Sequence, residues 1–116
     1  MTYTEHYDAV LKAASKVYEA IDRANSRGLC VSVGMETVCT VGGEVTYSPE
    51  ISVNHISQYR EEMTADEKQC RRDVYKTMIN LASVLTHAAE FGYAFQIKRY
   101  RDGTPVVMKA ESTIEA

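Results

Sequence analysis

The chain has 116 residues, three cysteines and a formal net charge of −3. That length suits one domain with its own core. The odd number of cysteines, without zinc-ligand spacing, argues against a disulfide or zinc framework, and no apolar run reaches the roughly 18 residues of a membrane span. The N-terminus, MTYTEHYDAV, is polar and lacks an apolar signal region, so the expected setting is a reducing cytoplasm, that of the host if the chain is virus-encoded.

The first periodic segment predicts a helix over about residues 4–27. Tyr7, Val10, Leu11, Ala14, Val17, Tyr18, Ile21 and Ala24 recur at three- and four-residue steps, with charged residues opposite. Thr2 followed by Glu5 is a capping signature, and Gly28 supplies the stop. Two strands follow, about 29–41 and 44–57. Leu29, Val31, Val33 and Met35 alternate onto one face, and Gly42-Gly43 forms the turn between the strands. The stretch from Ser48 to Met63 reads two ways: ISVNHIS alternates like a strand, whereas Pro49 and Glu61-Glu62 favour a loop.

Thr64 and Glu67 repeat the capping signature before a second predicted helix, about 65–91, closed by Gly92. Its stripe is Cys70, Val74, Met78, Leu81, Leu85 and Ala88. A hairpin over about 93–110 follows, with Asp102-Gly103 as its turn and Pro105 marking an edge strand, and residues 111–116 read as a frayed tail. The expected fold is a single α+β domain in α-β-β-α-β-β order: a two-layer sandwich with an antiparallel sheet of four or five strands and both helices on one face.

The small net charge hides a strong asymmetry. From Glu36 to Glu67 the chain carries seven acids against Arg60 and is net −6. From Lys68 to Lys109 it carries eight bases against Asp73, Glu90 and Asp102 and is net +5. Asp66 and Glu67 have a structural reason at a helix N-terminus. That leaves Glu36, Glu44, Glu50, Glu61 and Glu62, flanked by Tyr47 and Tyr59, as a candidate surface for a partner protein with a basic surface. The basic half offers Lys68, Arg72 and Lys76 on a helix face, and Lys98, Arg99, Tyr100 and Arg101 on a strand. These residues form a candidate patch for nucleic acid or for self-association into a homodimer. The acidic total argues against a dedicated nucleic-acid binder.

Catalytic chemistry has one weak candidate, a cysteine nucleophile at Cys30 or Cys39 with His55 as base. No metal or cofactor pattern is present: Glu61-Glu62 and Asp66-Glu67 are adjacent pairs whose carboxylates diverge on a helix. His87 reads as a solvated residue on the polar side of its helix, and His6, in the first helical turn, points to no chemistry. The leading expectation is a small, non-enzymatic, acidic protein-binding module, in the style of a phage or mobile-element inhibitor or modulator of nucleic-acid-handling machinery. A nucleic-acid-binding accessory protein is second, and a small cysteine-dependent enzyme third.

Overall fold

A computed structural model describes residues 2–55, 62–99 and 105–109, with Arg99 and 105–109 described by backbone alone. Helix α1 (Tyr3–Ser26) starts where Glu5 N–H donates to the Thr2 hydroxyl at 3.2 Å, which caps one otherwise unpaired N–H. Helix α2 (Ala65–Glu90) has the full reciprocal box: Glu67 N–H donates to Thr64 Oγ1 (3.2 Å), and Thr64 N–H donates to Glu67 Oε1 (3.1 Å). Both helices end at a glycine in the left-handed region, Gly28 (φ 79°) and Gly92 (φ 86°), where a side chain would be strained.

The helices lie antiparallel. The end of α1 meets the start of α2 through Arg23 Nη1–Asp73 Oδ2 (3.5 Å) and Arg27 Nε–Asp66 Oδ2 (2.6 Å). At the other end the rings of His6 and His87 stand 5.5 Å apart. Between these ends the facing stripes are small on α1 (Ala13, Ala14, Ala20, Ala24) and larger on α2 (Met78, Leu81, Leu85), so the alanines let the backbones approach. Leu29, Val53 and Phe95 complete the core from the strands. Each fully buried Val or Leu here contributes about 1.5–3 kcal/mol.

Strands β1 (Leu29–Cys39) and β2 (Val45–His55) form one antiparallel hairpin, Leu29 facing His55 and Cys39 facing Val45. Gly43 N–H closes the turn on the Thr40 carbonyl, and Thr40 N–H donates to the Glu44 carbonyl, each at 2.9 Å. Continuing the alternation from that bonded pair, even-numbered residues of both strands form the hydrogen-bonded pairs, and odd-numbered residues turn their backbone groups to the outer edges. Pro49, opposite Met35, therefore costs the ladder no bond. Two residues along, the outward Tyr47 N–H is taken by Thr86 Oγ1 of α2 at 3.1 Å.

The order through the described chain continues from α2 to β3 (Phe95–Arg99), against which a short β4 (Pro105–Lys109) pairs antiparallel. Here the structure corrects the expected sheet of four or five strands: the two ladders are separate, each two-stranded. The reason is where each packs. The β1–β2 hairpin lies mainly along α2, whereas β3 leaves Gly92 and lays Phe95 against Tyr3 and Tyr7 of α1, at 5.5 and 6.2 Å between rings. The chain is α+β in composition and order. The expected turn at Asp102-Gly103 and the tail 111–116 lie outside the described residues, and the second strand is followed as far as His55.

Candidate functional site

Strand alternation sorts the acidic candidates. Odd-numbered residues of the hairpin (Leu29, Val31, Val33, Met35, Tyr47, Ile51, Val53) pack toward the helices. Even-numbered ones face solvent, and Glu36 (opposite Ser48) and Glu50 (opposite Gly34) stand there as diagonal neighbours. A diagonal pair of this kind sits roughly 7–8 Å apart, where two carboxylates repel by about 0.5 kcal/mol in water. Glu44 adds a third exposed carboxylate at the turn. Among the described residues none of these three forms an ion pair. Glu62 is exposed ahead of the α2 cap, while Tyr59 and Glu61 lie outside the described residues.

Tyr47 does not join them. Its odd position turns the ring to the core side, where it is half-buried against α2. Burial, and secondarily the nearby Cys39 thiolate, push its phenol above the usual tyrosine range. Because the folded pKa is raised, the contribution of this group is intact below the unfolded value of about 10 and is lost as pH climbs past it. An alkaline titration followed by tyrosinate absorbance should therefore contain a late-ionising component from Tyr47. Tyr47→Phe should remove that late component; its persistence in the variant would contradict the assignment.

The basic candidates divide. Lys68, Arg72 and Lys76 stand exposed at four-residue steps on the outward side of α2. Arg72 Nη2 is steadied by Gln69 Oε1 (2.9 Å), and Gln69 Nε2 in turn donates to Asp73 Oδ1 (2.9 Å). Arg71, Arg72, Tyr75, Lys76 and Ile79 line an open hollow there together with Gln69 and Asp73, the latter turned to Arg23, and in it Tyr75 and Ile79 are 40% and 58% exposed. Lys98 is exposed on β3, which packs on α1, so it belongs to a different surface from the helix row. The Arg99 side chain, Tyr100 and Arg101 lie outside the described residues.

The cysteine–histidine candidate does not assemble. Cys30 is even-numbered and exposed on the solvent face, whereas His55 is odd-numbered and points at α2. Cys39 pairs with Val45 at the far end of the strands, roughly 33 Å along the strand from His55. His55 instead brings Nδ1 to 3.0 Å from Glu67 Oε2, both side chains being nearly buried (10% and 5% exposed). Its other ring nitrogen is buried and has no hydrogen-bond partner among the described residues. Glu67 thus caps α2 with one carboxylate oxygen and sets the other at ion-pair distance from the end of β2.

A second histidine is buried where the sequence offered no reading. His6 is 1% exposed, packed among the rings of His87, Phe91 and Tyr93 at 5.0–5.5 Å. Its position four residues before Val10, on the α1 stripe, was the available signal. Among the described residues no group of three or more His, Cys, Asp or Glu side chains could hold a metal ion, and no helix is long and apolar enough to cross a membrane. Comparison with family models, with curated proteins and with solved structures gives no match.

Proposed function

We propose that this chain is a non-enzymatic binding module whose working surface is the solvent face and turn of the β1–β2 hairpin, and whose partner is a protein with a cationic surface. The observation that carries this reading is the set Glu36 and Glu50 on the solvent face of the ladder and Glu44 at its turn, without an ion pair among the described residues, with polar Ser32, Ser48, Ser52 and Asn54 between and beside them. Carboxylates held apart on a strand, with no cation of their own, gain most from a groove that supplies one. Grooves that carry nucleic acid are built that way, and a modulator of nucleic-acid-handling machinery fits such a partner. The reading includes a two-layer arrangement in which the hairpin covers one side of the helix pair and turns its acids away from it.

The test uses a phosphocellulose eluate of a cell extract, which is enriched in proteins with phosphate-binding surfaces. The immobilised full chain is expected to retain proteins from it at low salt and release them as salt rises. The triple variant E36K/E44K/E50K should lose at least about tenfold of that retention with an unchanged circular dichroism spectrum. Equal retention by the variant would end the reading.

A further inference from the structure

We infer that the hollow on the outward side of α2 is the docking surface for the hairpin turn of a second copy of this chain, in a head-to-tail contact. Both halves of that contact belong to this chain, and each is the chemical inverse of the other. On α2 an exposed apolar pair, Tyr75 and Ile79, is flanked by Arg72 and Lys76. On the hairpin an exposed apolar pair, Val38 and Val41, is flanked by Glu36 and Glu44. Exposed apolar residues ringed by charge mark association sites, and opposite rings steer the two together and fix their register.

The fold decides the symmetry. Arg72 and Lys76 each stand two residues from the fully buried Val74, which puts them about 160–200° around the helix from the core. Glu36 and Val38 are even-numbered residues of β1 and face away from the helices. The two patches therefore look out from opposite sides of the molecule. One two-fold axis cannot pair both of them at once, so the contact is heterologous, and each added copy leaves one acidic and one basic patch open.

Multi-angle light scattering on the full chain over a concentration and salt series tests this. At low salt the wild type is expected to grow past the dimer with concentration and to fall back to monomer as salt rises. E36K/E44K alone and R72E/K76E alone should each stay monomeric, with wild-type circular dichroism and thermal melting. An equimolar mixture should grow past the dimer again, because the intact helix face of the first variant takes the intact hairpin of the second, and the two reversed patches, lysines on one and glutamates on the other, are complementary in turn. A wild type that is monomeric at low salt, a wild type that closes at the dimer, or a mixture that stays monomeric each overturns the inference. R72E/K76E leaves the hairpin intact, so its retention of phosphocellulose-eluted proteins reports on the proposed function separately.

Discussion

Glu67→Ala should lower stability by about 3 kcal/mol, a far larger effect than removing any exposed carboxylate. Two losses combine. The N-terminal box of α2 goes, which costs about 1 kcal/mol, and His55 is left nearly buried without its carboxylate, which costs about 1–3 kcal/mol more. For a chain of this size the melting temperature should drop by roughly 10–20 °C, measurable by circular dichroism. Glu67→Gln separates the two losses, since an amide oxygen still accepts from Thr64 N–H but presents no charge to His55. It should cost about half as much. In a double-mutant cycle with His55→Leu, the coupling should exceed about 1 kcal/mol. If both Glu67 variants melt within about 2 °C of the wild type, the residue does not pin the strand to the helix.

Leu29→Ala is the second large effect, at about 3–4 kcal/mol. Leu29 is fully buried, is the first residue of β1, and faces His55 across the ladder. Truncating it opens a cavity where strand, helix and cap meet, and the glycine before it leaves little to fill the space. Hydrogen exchange should quicken most in the half of the hairpin nearest this end, because the rest of the ladder leans on it. Val38→Ala, at the exposed half, should change stability by no more than about 0.5 kcal/mol. Comparable losses at both positions would mean that the hairpin is held evenly along its length.

Local rules reached far in this sequence. The three-and-four spacing of Val10, Ala14, Val17 and Ile21, and of Cys70, Val74, Met78 and Leu85, placed both helices to within a residue or two, and Thr64 with Glu67 marked a box that the structure contains. The hairpin turn followed from Gly42-Gly43. Long-range pairing was not legible. Whether one ladder continues into another depends on where β3 lands, and Phe95 goes to α1 because Tyr3 and Tyr7 offer it rings there. The burial of His6 and His55 was not legible for the same reason: each is buried by elements far away in sequence, α2 and the residues after Gly92 for His6, and α2 for His55. Pro49 suggested a loop, and only the parity of the pairing shows why a strand tolerates it there.

The candidate surface was legible in composition but not in membership. Counting charges found Glu36, Glu44 and Glu50. Deciding that Tyr47 is not their neighbour required the register, since one residue along a strand exchanges one face for the other.

That alternation has a consequence for how such a chain can change over generations. Along β1 and β2 two messages are interleaved letter by letter: odd positions specify how the hairpin sits on its helices, and even positions specify what the hairpin shows to the outside. Substitution at Cys30, Ser32, Glu36, Ser48 or Glu50 leaves the core-facing letters untouched. A lineage under pressure to follow a drifting target can therefore rewrite the outward message without renegotiating the fold, and its relatives would share the buried letters long after the exposed ones had diverged.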